Sequence, residues 1–585
     1  MKKNIFLLIM MAATVVGCSD LMEPAIENIR QLDEMYDEAG FAQGVLANGY
    51  TRIPTNSYTF DDVATDDAVS NNSLNSYTRI AIGQWSAVNN PTEKWRNCLG
   101  GIQYMNIFLT SSDKVKYSSD SIVNTHFNRK MKAEAYTLRA IFMYNLLKAH
   151  GGWVNGQLMG VPIFTEPQGP NSNFNLPRAT FEDCMKLIYA DLDSAQKYLP
   201  NTYVDIPATG TVPAGYTDMT ISQFNRVYGV TFTGRVDGRI VKAVRAQAAL
   251  LAASPAFAAG NSTTWANAAD YAAQILDLNN GVAGISSTGY TWYNNDEIEN
   301  LVAGQNPAEV LWRNTYSNSH NLESDNLPPT LYGSGRINPT QNLVDAFPMA
   351  NGYPISDATN SGYSSASPYT GRDPRLAAYI IVNGSSFGSS SALTMVSGND
   401  AVNATEKSTR TGYYMRKLLR TKVSYNSSGG SWNDQRHYVP RIRFTELYLA
   451  YAEAANEAWG PDGKGTHSYS AREVIAAIRK RAGVGGTSDP YLASITSKED
   501  MRKLIHNERR LELCFEGHRF WDLRRWKEDI TVPATGISFA ANGSMQPAVT
   551  VETRSYDPEY MFYGPIPYEE TLKWSNLEQN DGWKK

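Results

Sequence analysis

Cysteine is scarce, net charge is small and long apolar runs are missing. Four Cys in 585 residues exclude a fold stapled by disulfides. Lys plus Arg number 53 against 58 Asp plus Glu, a net charge of −5. That balance lacks the basic excess that nucleic-acid binding requires. The longest apolar run, Ile5 to Val16, is interrupted only by Thr14. It falls short of the ~20 residues that cross a ~30 Å hydrocarbon layer. Common catalytic spacings are also missing: there is no H-E-x-x-H, no G-x-x-x-x-G-K-[ST] and no G-x-G-x-x-G. Gly384-Ser385-Ser386-Phe387-Gly388 matches G-x-S-x-G, but a Ser/Gly-rich tract follows where a nucleophile elbow needs a helix. The seven His show no tight metal-ligand spacing. No metal site and no cofactor is expected.

Aromatic residues, in contrast, are plentiful: 34 Tyr, 19 Phe and 12 Trp, or 11% of the chain. Tyrosine carries a polar tip, so many rings are expected at a surface or in a wet groove. Hydrophobic residues at 42% suffice for a large core.

The N-terminus reads as an export address. Lys2 and Lys3 precede the apolar run, which ends in Val15-Val16-Gly17-Cys18. Residues 1–17 are therefore expected to be a signal peptide. Small residues before a cysteine resemble a bacterial lipobox, in which Cys18 becomes the acylated first residue and a membrane anchor. Ser19, Asp20 and Glu23 resemble the surface-export signal of some Gram-negative lipoproteins. Cys98, Cys184 and Cys514 read as buried small hydrophobes.

Helical periodicity dominates both ends. Phe127, Met131, Ala135, Leu138, Phe142 and Leu146 share one face of a helix over Thr125 to His150, which Gly151-Gly152 ends. Further helices are expected over Arg178 to Leu199, Gly238 to Ala259, Trp265 to Leu278, Arg443 to Trp459, Ser470 to Ala482 and Lys498 to Phe515. The middle, Gly281 to Asn433, is rich in Gly, Ser, Asn, Tyr and Pro and reads as loops with short strands. The expected fold is mainly α. A tetratricopeptide-like scaffold of helix pairs, about 30–280 and 440–530, carries a loop-rich insertion at about 281–433. A C-terminal extension occupies 530–585, and residues 18–585 form one domain. Glu508 and Glu512 stand in the middle of an apolar helix face. They are either a general acid/base pair or, with so many Arg nearby, structural ion-pair partners, which is the expected reading.

The C-terminal third holds Arg443-Phe-Thr-Glu-Leu-Tyr-Leu-Ala-Tyr-Ala-Glu-Ala-Ala-Asn456, Ala477-Ile-Arg-Lys-Arg-Ala-Gly483 and the more specific Glu508-Arg-Arg-Leu-Glu-Leu-Cys-Phe-Glu-Gly-His-Arg-Phe-Trp-Asp-Leu-Arg-Arg525. Tyr563-Gly-Pro-Ile-Pro567 and Leu577-Glu-Gln-Asn-Asp-Gly582 follow. Upstream lie Lys132 to Ala140, Gly160 to Ile163, Arg372 to Leu376 and Gly412 to Lys417. In this order, and with the lipobox, the set resembles the SusD/RagB family of outer-membrane nutrient-binding lipoproteins. The resemblance implies a binding protein and not an enzyme. It would capture oligo- or polysaccharide at the cell surface, facing outward, and deliver it to a SusC-like TonB-dependent transporter. Capture of peptides by the same scaffold is the alternative, and a glycan-cleaving enzyme needing two facing carboxylates in a cleft is a third.

Sugars have apolar faces and hydroxyl rims, so a glycan site pairs aromatic platforms with polar side chains. Two regions fit. One runs from Asp67 through Asn71, Asn72, Asn75, Tyr77 and Arg79 to Trp85, and resembles the family's early ligand-facing loop. The other, in the insertion, includes Tyr290, Trp292, Tyr293, Trp312 to Tyr316 and Arg372. The expected ligand contacts are Trp85 as stacking platform, Asp67 as hydroxyl acceptor, Arg372 as donor, and Trp292 with Tyr293 as exposed rings. For Trp85 the competing reading is a core tryptophan. For Arg372 it is an ion pair with Asp373 or Asp345.

Overall fold

A computed structural model describes residue 36, residues 38–302 and residues 304–583. The expected leader, the anchor at Cys18 and the acidic stretch after it lie outside the described residues.

Helices form the frame: α1 (Ala39–Thr51), α2 (Trp95–Ser111), α3 (Ser121–His150), α4 (Phe181–Gln196), α5 (Gly238–Ala253) and α6 (Trp265–Asp277). After the insertion come α7 (Phe444–Trp459), α8 (Ala471–Arg481), α9 (Lys498–Leu513) and α10 (Arg519–Trp526). Their starts follow from capping chemistry. The Asp120 carboxylate accepts from the backbone N–H groups of Ile122 and Val123, so α3 begins at Ser121, four residues before the expected start at Thr125. Thr264 with Asn267, and Ser470 with Glu473, form reciprocal capping boxes at α6 and α8.

Each helix packs on the next along the row α1 to α6, and α6 packs on α7. The row therefore continues across the insertion as tetratricopeptide-like helix pairs. Small residues permit this closeness. A Cβ built on Gly101 of α2 would stand 2.5 Å from the Phe142 ring of α3. Buried Ala residues line α5, α6 and α7 where these three meet.

The insertion is threaded onto this frame by short two-stranded antiparallel sheets. Val310–Arg313 pairs with Pro440–Arg443, Ala68–Ser70 with Ile337–Pro339, and Ser317–Ser319 with Gln435–His437. A second core, separate from the helical one, gathers Trp292, Tyr293, Tyr379, Tyr413, Tyr414 and Phe515. A third, smaller one holds Trp85, Phe520, Tyr556 and Trp583. Among the described residues no helix is long and apolar enough to cross a membrane. Cys98, Cys184 and Cys514 are buried, and burial pushes their thiols up to about 12, 11 and 12.

Candidate functional site

The five side chains expected at the ligand site are each at most 6% exposed. A stacking platform must offer a ring face to solvent, and Trp85 does not. Trp583 and Phe520 stand 4.9 and 5.7 Å from its ring, and the Arg524 guanidinium lies 4.9 Å over it. Its indole N–H donates to Asn90 at 3.0 Å. Trp85 is thus a core tryptophan. Asp67 is no free acceptor either, because Arg510 donates to it at 2.6 Å. Burial raises its carboxyl above the ordinary range, opposed by the Arg510 and Arg519 charges. Arg372 pairs with neither acid proposed for it. It donates to the carbonyls of Pro368, Val344 and Phe347 and so ties down a turn. Trp292 and Tyr293 pack edge to face at 5.8 Å, and the Tyr293 hydroxyl donates to the Ala378 carbonyl. Trp312 is buried as well, with Arg441 over its ring at 4.6 Å. The turn residues around these rings had suggested exposure. Long-range packing covers them instead, Trp292 and Tyr293 in the second core and Trp312 in the helical one.

Glu508 and Glu512 are fully buried among arginines. Arg375 reaches both, at 2.9 and 3.0 Å, and also Asp373 at 2.7 Å. Arg479 pairs with Glu508 at 2.7 Å, and Arg481 with Glu512 at 2.8 Å. Burial pushes the Glu512 carboxyl up, but Arg481, Arg375, Arg443 and Lys417 outweigh it and hold it at about 2. A carboxylate held ionised by several cations cannot exchange a proton near neutral pH. The cluster joins the insertion, through Asp373 and Arg375, to α8 and α9. It is a structural seam.

Within the insertion a different group of rings reaches solvent: Tyr332 is exposed, and His320, Tyr425 and Trp432 are half-buried. Tyr425–Asn426 pairs with Ser431–Trp432 in a hairpin whose register sets Tyr425 opposite Trp432, with ring centres 5.4 Å apart. The pairing of Ser317–Ser319 with Gln435–His437 then brings His320 beside this hairpin. His320 stacks on Trp432 at 5.3 Å with only 5° between the planes, and its Nδ1 lies 2.6 Å from Asp434. On the far side Tyr332 meets Tyr425 at 4.3 Å. Tyr332 is 53% exposed and sits at φ +66°, in the left-handed region. For a bulky residue that backbone costs on the order of 1–2 kcal/mol. Strain spent on presenting a ring to solvent is a mark of function.

His320, Trp432, Tyr425 and Tyr332 thus form a continuous row of rings. The pairing of residues 68–70 with 337–339 lays the Asn71–Asn75 loop alongside. Asn71 donates to the Ser334 carbonyl at 2.9 Å, two residues from Tyr332. The side-chain carbonyls of Asn72 and Asn75 cap the local turn. Asn433 and Asp434 are exposed beyond the hairpin, where Asn433 accepts from the Ser424 N–H and donates to the Lys422 carbonyl, and Asp434 meets His320. Ring faces edged by amides and a carboxylate are suited to sugar rings and their hydroxyls. The loop of residues 71–75 had been singled out from sequence, and the ring row had not. Its one local signal was the density of Tyr and Trp among Gly, Ser and Asn near residue 430.

Comparison with known proteins accords with this architecture. The model described as the SusD family matches residues 303–583, and one described as starch-binding associating with outer membrane matches residues 19–219. The chain belongs to the SusD family. A SusD-like protein of Formosa agariphila is 29% identical over 163 residues, 27% of this chain and 28% of that one. A second from the same organism is 31% identical over 99 residues, 17% of this chain and 19% of that one. The matched stretches thus span under a third of those relatives' own lengths. Among solved structures, a SusD-like protein of Bacteroides fragilis superposes with a TM-score of 0.73 at 21% identity, covering 95% of this chain and all of the other. A laminarin-binding SusD-like protein gives 0.55 at 20% identity, over 94% of this chain and all of that one. At such identities the likeness establishes the fold.

Proposed function

We propose that this protein captures oligo- or polysaccharide at the cell surface, held to the outer membrane by lipid at Cys18, and delivers it to a SusC-like TonB-dependent transporter. The observation that carries the reading is the solvent-facing row Tyr332–Tyr425–Trp432–His320 with its Asn-rich rim. Membership in the SusD family supports it, as does the family description of starch binding in association with the outer membrane. The named activity of the laminarin-binding neighbour belongs to that protein but points the same way. Glycan is bound without bond cleavage: Glu508 and Glu512, the pair first considered for catalysis, are committed to arginines.

One aromatic platform contributes about 1–2 kcal/mol. Tyr332→Ala and Trp432→Ala are each expected to weaken glycan affinity about tenfold, Tyr332→Ala with little change in melting temperature because its ring is largely exposed. The test is a calorimetric screen of purified protein and both variants against polysaccharides and peptides. Binding of peptides alone, or glycan binding untouched by both variants, would overturn the assignment.

A further inference from the structure

A pocket of about 150 Å³, partly open to solvent, lies where α3, α5 and α7 face the chain around residues 53–61, 439–443 and 516–522. Tyr58, Asp61, Tyr144, Lys148, Arg509 and Trp521 are among its lining residues. Asp61 is 2% exposed and Arg509 4%. Asp61 accepts from the Trp521 indole N–H through Oδ2 at 3.0 Å, and the Thr59 hydroxyl lies beside the carboxylate, while Oδ1 has no well-aligned hydrogen bond among the described residues. Arg509 donates from Nε to Asp522 at 2.7 Å, while its Nη1 is likewise without a partner. Lys148 lies 4.7 Å over the Trp521 ring and forms no ion pair among the described residues.

A buried carboxylate oxygen and a buried guanidinium N–H left unsatisfied in one cavity each cost on the order of 1–3 kcal/mol. One demands a donor and the other an acceptor. An anion would satisfy Arg509 and Lys148 but be repelled by Asp61. A cation would meet the reverse. A hydroxyl group both donates and accepts. A pocket of this size holds one six-membered ring, and five of the lining side chains, Tyr58, Tyr77, Tyr144, Trp312 and Trp521, are aromatic.

We propose that this pocket is a second site for a single neutral polyhydroxylated ring, a monosaccharide in pyranose form. Its hydroxyls donate to Asp61 and accept from Arg509 and Lys148. The site is separate from the surface ring row and does not depend on it.

The experiment titrates the purified full-length protein with free glucose, galactose, mannose and xylose by calorimetry and thermal shift. It includes Asp61→Asn, Lys148→Met and the double variant Tyr332→Ala/Trp432→Ala, and a crystal soaked in the sugar that binds most tightly. The expected result is saturable binding by at least one sugar, retained in the double surface variant and weakened about tenfold or more in Asp61→Asn or Lys148→Met. Density for one ring beside Asp61 and Arg509 is expected in the soak. Asp61→Asn keeps the side-chain shape and so serves should Lys148→Met misfold. No saturable binding of any of the four sugars, binding lost only in the surface variant, or a soak showing only discrete waters in the cavity would each overturn the proposal. A failure of polysaccharide capture at the ring row would leave this result readable by itself.

Discussion

Replacing Glu512 with glutamine keeps the shape of the side chain and removes one negative charge from the seam. In the native protein that charge faces Arg481 at 2.8 Å, Arg375 at 3.0 Å and Arg443 at 4.0 Å, with no water access. Its carboxyl is held at about 2 against an ordinary value of 4.5. That depression corresponds to about 3 kcal/mol of stabilisation of the ionised form. The folded value lies below the unfolded one, so this contribution is complete above pH ~4.5 and fades as pH falls toward 2. Glutamine can still accept one of the hydrogen bonds. Arg375 retains Asp373 and Glu508, and Arg481 retains Glu309 at 3.5 Å. The cost therefore sits at or below the ~3–5 kcal/mol of breaking a buried pair outright. For a chain of this size it amounts to a drop of roughly 2–4 °C in melting temperature at pH 7. Differential scanning calorimetry of both proteins between pH 3 and 7 provides the measurement, with the gap closing toward the acid end. Equal melting at pH 7, with loss of turnover on some glycan, would refute the structural reading and restore the carboxylate pair as a catalytic candidate.

Trp85→Ala should damage stability and leave glycan affinity intact, since its ring is closed over by Trp583, Phe520 and Arg524. A loss of about 3–5 kcal/mol is expected, read by chemical denaturation. A well-folded variant with weakened glycan binding would return Trp85 to the site. Cys18→Ser should shift the protein from the outer-membrane fraction to the soluble one without altering binding by the purified chain. Fractionation and immunoblotting check this, and retention in the membrane would remove Cys18 as the anchor.

Much of the frame was legible in the residues themselves. The 3.6-residue spacing in α3 or α9, the capping pairs at Thr264 and Ser470 and the alanine stripes of α5 and α6 are local signals, and local signals specify helices. The ordered motifs from Arg443 to Arg525 sufficed for the family. Glu508 and Glu512 were rightly read as paired, because a carboxylate on an apolar helix face needs a cation and Arg was abundant.

What sequence could not decide was which aromatics face water. Trp292 and Tyr293 stand among turn residues much as Trp432 and Tyr425 do, and composition treats the two pairs alike. Exposure is a property of what packs on a ring from hundreds of residues away. Trp85 is covered by Phe520, Tyr556 and Trp583, and the Trp432 hairpin is placed by strands at 317–319 and 435–437. Only tertiary structure sets those long-range neighbours, so only it could move the proposed ligand site from Trp85 to the ring row around Trp432.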